Sequence, residues 1–300
     1  MTRVVEVPAS FDDRSFDQFA AGFGVWPPEE RILVDARGAQ WASPYGLVGI
    51  LTAGQALVEA KRDRPLLTVP QSDDVKRYWA RTGFFRHAAE LFELHGKVPK
   101  PTASGPSDVL LDVTPVRASE DVHEIVGRIG ENAARIMSGE LGLEAKASIG
   151  FSMALSESCT NIVEHAGTGG WVAVQAYTFR RRLGRRVVVI AVSDAGLGFR
   201  RSLESTQARR FGDRWGDAAA LEAALIQNVS RFRDPGRGQG FAGIKRYLTR
   251  WQGKISIRSG TARLAIVPPW DDDLPLAEHL PFFPGAQVQI TIPAQRVEAS

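Results

Sequence analysis

The sequence predicts an α/β protein in two parts. Three observations carry this. Short β-branched runs alternate with helical patterns through the first hundred residues. A stretch rich in Pro, Gly and Ser follows, "GKVPKPTASGPS" at 96–107. After it, long apolar strands are interleaved with helices of 3.6-residue period. The expected division is a domain at 1–95, a linker at 96–107 and a larger domain at 108–300.

In the first part, Val4-Val5-Glu6-Val7 and Ile32-Leu33-Val34 read as strands, the second ending at Asp35. Residues 44–61 read as a helix with Leu47, Ile50, Leu51, Leu57 and Val58 on one face. Leu66-Leu67-Thr68-Val69 is a third strand. Ser72 is placed to cap a short helix with Asp73 and Asp74 in its first turn, where carboxylates meet the positive helix end.

The second part opens on "DVLLDVTPV" as a strand. Ser119 is expected to cap a helix whose apolar residues are Val122, Ile125, Val126, Ile129 and Ile136. A second helix covers about 144–165, with Ile149, Met153, Ile162 and Val163 expected to face inward. "WVAVQAYTF" and "RRVVVIAVS" read as a hairpin across "RRRLGR". A long polar segment follows at about 200–235, then a glycine-rich stretch that opens a helix. "KISIRS", "ARLAIV" and "AQVQITI" are closing strands, with "PPWDDDLPLAEHLPFFPG" inserted before the last.

Composition narrows the class. The chain has 300 residues, 44% hydrophobic and 24% charged, and a net charge of +3. That is a globular composition, and its mild charge does not suggest a nucleic-acid partner. No apolar run approaches the ~20 residues of a membrane helix. "MTRVVEVPASFDD" lacks the basic flank and apolar core of an export signal, and a single cysteine, Cys159, suits a reducing cytosol. The expected location is therefore cytoplasmic, away from membranes.

The glycine stretch is "DPGRGQGFAGIKRYL", 234–248. "GQGFAG" satisfies the dinucleotide pattern, but "SRFRDP" before it is no strand, and no acid lies between Phe241 and Trp270 to hold a ribose. No Gly-Lys-Ser/Thr makes it a phosphate loop of the P-loop type. The His-Arg-Asp and Asp-Phe-Gly tripeptides of protein kinases are absent. Gly236, Gly238 and Gly240 still let backbone N–H groups and a helix start approach a bulky anion.

Two further stretches give that anion a context. In "ALSESCTNIVEHA", Glu157 and Asn161 are four apart and share a helix face. A carboxamide oxygen can ligate a hard cation such as Mg²⁺, and a carboxylate one turn away can orient or deprotonate a hydroxyl or water. A solvated polar face would carry the same residues. In "VVVIAVSDAGLGF", an apolar strand ends at Asp194, followed by Gly196 and Gly198. A buried acid there can accept from a purine amine, although an ordinary turn reads the same way.

In order, these are ExxxN on a helix, DxGxGF after a strand, a long segment, and GxGxG opening a helix. The arrangement resembles the GHKL, or Bergerat-fold, ATP-binding domain of gyrase-type topoisomerases, heat-shock ATPases and histidine kinases, across about 108–297. The resemblance implies an α/β sandwich holding ATP and Mg²⁺ under a mobile lid at about 200–235. It implies that Asn161 holds Mg²⁺, that Glu157 is the general base, and that Asp194 reads adenine beside Gly196 and Gly198. Gly236, Gly238 and Gly240 would cradle the phosphates, and Arg231, Arg233 and Arg237 could meet their charge. His165 reads as a packing or supporting residue, and Lys245 and Arg246 as solvated.

The first part resembles a STAS domain through "ILVDARGAQWASPYGLVGILTAGQAL". Where that family carries Asp-Ser-Ser-Gly-Leu, Ser43-Pro44-Tyr45-Gly46-Leu47 stands, so Pro44 and Tyr45 replace the serine pair. Ser43 and Tyr45 are the hydroxyls left there, and Pro44 suits a helix start. A docking or sensing module is expected. The combination resembles anti-sigma regulators and implies a protein partner, either a STAS protein or a sigma-like regulator, and allows a homodimer. No dimerisation helix with a phosphoacceptor histidine stands between linker and ATP domain. The functional readings are an ATP-dependent partner switch, a serine/threonine kinase acting on a STAS partner, and a binding-only module, the last with "RRRLGRR" as a basic tip.

Overall fold

The computed structural model describes residues 1–100, 109–144, 146–180, 183–226 and 240–295. The N-terminal part runs β1 (Thr2–Glu6), β2 (Ser10–Phe11), α1 (Phe16–Gly22), β3 (Arg31–Asp35), β4 (Trp41–Ala42), α2 (Pro44–Glu59), β5 (Leu66–Thr68), α3 (Asp73–Arg81), α4 (Phe84–Leu91) and β6 (Glu93–His95). Four of the strands form a parallel sheet in the order β1-β3-β5-β6, and β2 pairs with β4. The expected cap is present: Ser72 Oγ accepts from Val75 N, and Asp73 and Asp74 occupy the first turn of α3.

The C-terminal part runs β7 (Val109–Val116), α5 (Ser119–Ala134), α6 (Lys146–Asn161), β8 (Gly170–Thr178), β9 (Arg186–Asp194), α7 (Gly198–Phe211), α8 (Asp217–Leu225), α9 (Gly240–Arg250), β10 (Lys254–Gly260), β11 (Ala262–Ile266), β12 (Leu276–Ala277) and β13 (Phe283–Pro293). These strands make one antiparallel sheet in the order β12-β11-β10-β13-β9-β8-β7. The hairpin β8–β9 is in the expected place. Ser119 is the first residue of α5 rather than its cap. Asp121, in the first turn, reaches back instead: its Oδ2 accepts from Arg117 N at 2.7 Å and Ala118 N at 2.9 Å and so fixes the chain entering the helix.

Side chains alternate across this sheet. Val188, Ile190 and Val192 of β9 face the core shared with α5, α6 and α9. Ala191 faces the other way, into a second core built mainly from the N-terminal part, together with Val113, Trp171, Ala173 and Phe283. Antiparallel sheets often leave one face to water. Here both faces are covered, which is why β9 reads as unbroken apolar sequence.

The element covering the second face is α2, which packs on β8, β9 and β13. Its N-terminus is set by Ser43, whose Oγ accepts from Gly46 N at 3.2 Å, with Pro44 at the first helical position. The sequence predicts one apolar face. The structure instead buries every residue from Pro44 to Leu57 except Gln55, and leaves Val58 exposed. Glycines make the fit: a Cβ at Gly49 would lie 2.4 Å from the Phe16 ring, and one at Gly54 would lie 2.4 Å from Phe92. Burying Leu47, Val48, Ile50, Leu51 and Leu57 contributes on the order of 10 kcal/mol before entropy is counted. Ser43 and Tyr45 are buried as well, so neither hydroxyl is presented to a kinase.

Charge also joins the two parts. On β10, Ile255 and Ile257 face the helices, while Lys254, Ser256 and Arg258 alternate onto the opposite face. Lys254, 2% exposed, meets Asp273 at 2.8 Å, Asp271 at 3.1 Å and Asp13 at 3.5 Å. Arg258 donates to Asp17 Oδ1 at 3.0 Å and lies over the rings of Phe16 and Phe283. The insertion before β13 is thereby explained. It brings Asp271 and Asp273 to Lys254, and Asp272 to Arg14.

Two expectations about the helices are corrected. Ile149 and Met153 are 72% and 40% exposed; Ala147, Phe151, Ala154, Leu155 and Cys159 form the inner face of α6 instead. The front of the segment expected to be a long polar lid is helical: α7 buries Leu203 alone, whereas α8 packs with Leu221 and Leu225 buried. The rest of it, including Arg231 and Arg233, lies outside the described residues. Among the described residues no helix is long and apolar enough to cross a membrane.

Candidate functional site

The site is built where the end of α6 meets the end of β9. Asp194 is the last residue of β9, and by strand alternation it points to the same side as Ile190 and Val192, under the helices. It is buried, and its Oδ1 accepts from Gly196 N at 2.8 Å. Burial pushes its carboxyl up to about 7, against the opposing pull of the Gly196 and Ala286 backbone N–H groups. A carboxylate offers about four acceptor positions, so these donors leave capacity for an amine.

The turn after Asp194 has no slack. Leu197 N donates to Ala166 O at 3.0 Å, which ties it to the π-helical turn Ile162–Ala166 that ends α6. A Cβ at Gly196 would lie 2.0 Å from that same Ala166 oxygen. On the other side, a Cβ at Gly285 would lie 1.9 Å from Asp194 O, and Gly285 has φ +71°. Both positions require glycine. Gly198, φ +70°, opens α7 and approaches Ser259 and Gly285. Neither Gly285 nor Ala286 is among the residues expected from sequence; they reach Asp194 through pairing of β13 with β9, a contact between distant parts of the chain with no local signal.

Glu157 and Asn161 lie one turn apart on α6, both half-buried. Burial, and then the Glu164 carboxylate, raise the pKa of Glu157 above its ordinary value. Asn161 Nδ2 is buried without a partner among the described residues. An unsatisfied buried amide costs about 1–3 kcal/mol, a cost that a bound group can remove.

The third stretch enters along α9. Tyr247 packs its ring on Gly150 and donates through its hydroxyl to Ala147 O at 3.0 Å. Gly243 sits beside Met153. The helices therefore run antiparallel, and the start of α9 at Gly240 points along α6 toward Glu157. Gly236, Arg237 and Gly238 lie outside the described residues. Lys245 and Arg246 are exposed, and His165 is half-buried in the π-helical turn.

Residues 147–296, the stretch containing all three motifs, match the family model of the histidine kinase-, DNA gyrase B- and HSP90-like ATPases. The chain belongs to this family. ATPase domains of the family bind ATP, usually with Mg²⁺. The residues present fit the nucleotide: a buried acceptor with spare capacity at Asp194, and a buried Nδ2 donor at Asn161, unpartnered among the described residues, that suits a phosphate oxygen and leaves the side-chain oxygen of Asn161 as the atom able to face a cation. No curated protein matches the chain. One solved structure, the mycobacterial sensor histidine kinase MprB, is 17% identical over 61% of this chain and 100% of that chain, at a TM-score of 0.28. So loose a superposition defines no residue correspondence.

Proposed function

We propose that this chain is an ATP- and Mg²⁺-binding regulatory protein whose nucleotide state alters its grip on a protein partner. The observation that carries the reading is the Asp194 carboxyl: it is buried, raised to about 7, and locked in a glycine-lined turn against the helix that bears Glu157 and Asn161. Acids shifted by burial and set in a glycine-lined turn are concentrated at binding and catalytic sites. Asp194 would accept from the adenine amine. The side-chain oxygen of Asn161 would hold Mg²⁺, which supplies charge neutralisation to the phosphates when bound. Glu157, its proton affinity raised, would orient or deprotonate the attacking hydroxyl. Gly236, Gly238 and Gly240, with Arg237, would bring backbone donors and charge to the phosphates.

Glu157 also supports the second reading, a serine/threonine kinase acting on a separate STAS protein or sigma-like regulator. The N-terminal part, read as STAS-like, then acts as a docking surface, since Ser43 and Tyr45 are buried. Calorimetric titration of ATP and ADP with and without Mg²⁺ tests nucleotide binding, and γ-labelled ATP separates the readings. Free phosphate alone supports the switch, and label on an added STAS protein supports the kinase. No heat and no label with any nucleotide refutes both.

A further inference from the structure

Although α2 belongs to the N-terminal part, it touches both strands that frame Asp194. In the β8–β9 ladder, Gly170 pairs with Asp194 and Trp171 with Ser193. Thr52 Oγ1 donates to Ser193 Oγ at 2.7 Å, with both residues fully buried. Three residues along the same helix face, Gln55 Nε2 donates to Gly169 O at 2.9 Å, and Gln55 Oε1 accepts from Trp171 Nε1 at 2.8 Å. One helix thus holds the residue before Asp194 and both neighbours of its cross-strand partner.

We infer that Thr52 and Gln55 are positioning residues for the nucleotide-binding carboxylate, and so the route by which the N-terminal part acts on the ATP site. The inference rests on the function proposed above. Its physical basis is the absence of slack. Gly196 is pressed on Ala166 and Gly285 on Asp194 at distances that exclude even a methyl group. A shift of α2 cannot be absorbed in that turn and must change how the carboxylate is presented. The Thr52–Ser193 pair matters because it is fully buried, where a hydroxyl is satisfied only in one geometry, and the half-buried Gln55 adds two bonds that fix the facing strand.

The test uses the full chain carrying Thr52→Val with Gln55→Leu, and Thr52→Ser as the conservative variant. Two readouts are taken: ATP affinity against pH, and amide hydrogen exchange in nucleotide-free protein at Gly196 and Ala286, whose N–H groups serve Asp194. The double variant is expected to weaken ATP binding about tenfold, the equivalent of roughly one buried hydrogen bond. It should move the pH midpoint of binding and speed exchange at Gly196 and Ala286 by a similar factor relative to Val34 in β3. Thr52→Ser should behave as wild type. Wild-type exchange at those two amides, or a rise shared equally by Val34, overturns the inference. If the parent chain binds no ATP, the proposed function falls by itself, and the exchange comparison still decides whether α2 positions Asp194.

Discussion

Replacing Asp194 by Asn should make the nucleotide-free protein more stable at pH 8 while abolishing its response to ATP. The carboxyl sits at about 7 in the folded chain against an ordinary 3.8. At ~1.4 kcal/mol per pH unit, this gap of about three units sets a ceiling of about 4 kcal/mol. The sign follows from proton binding. Between about pH 4 and 7 the folded chain holds a proton that the unfolded chain has lost, so stability falls as pH rises through this window and is flat above it. Asparagine carries no charge to bury. It keeps one acceptor oxygen, and giving up the other costs roughly 1–3 kcal/mol. A net gain of about 1–3 kcal/mol remains at pH 8, or roughly 2–6 °C in Tm for a chain of this size. Urea melts of both proteins from pH 4 to 8 measure it. The wild type should lose several kcal/mol more than the variant across the window, and saturating ATP should raise the melting point of the wild type alone. ATP affinity of the wild type should also fall below pH 7, as the acceptor takes up its proton. Superimposable pH profiles, or an undiminished ATP shift in the variant, would refute the reasoning.

Three further outcomes follow from the same geometry. Glu157→Gln should leave ATP affinity within about twofold and slow phosphate release or transfer by at least about 100-fold in single-turnover assays; unchanged turnover removes its catalytic role. Lys254→Met removes the ammonium shared by Asp13, Asp271 and Asp273 and leaves Asp273 to Arg263 and Asp271 to Arg14; it should cost up to about 3 kcal/mol in urea at pH 7. That loss should shrink as pH falls through the carboxylate range, since the carboxyl of Asp273, which burial pushes up, is held below its ordinary value by the Lys254 and Arg263 charges. Gly285→Ala places a methyl against Asp194 at positive φ; it should cost at least roughly 2 kcal/mol and erase the ATP-dependent rise in Tm, both read by thermal melts.

The features legible in the sequence are local ones. Ser72 announces its helix because a cap and its acids are contiguous in sequence. The hairpin and Asp194 are legible because β9 is long and apolar and stops at a charge. The misreadings share one cause, which is that periodicity reports burial without naming the partner. The helix at 44–59 reads as having one apolar face because surface helices have one, yet Val48, Ala53 and Ala56 are buried too. Hydrophobicity points Ile149 and Met153 inward, whereas the small residues Ala147, Gly150 and Ala154 take the inner face, where Tyr247 needs room. The Asp-Asp-Asp run at 271–273 gives no hint of Lys254, because a buried ion pair is invisible until the sheet brings its members together. Gly285 likewise depends on strand pairing set by the whole domain.

The arrangement of α2 between two cores has a practical consequence for anyone dividing this protein. Scissors applied at the proline-rich crossing near residue 100 would leave an ATPase fragment with a bare hydrophobic wall and a front fragment with an uncovered helix. Each piece would be sticky alone and complementary to the other, so the halves should be handled as a co-expressed, self-reassembling pair, with nucleotide binding reporting their reunion.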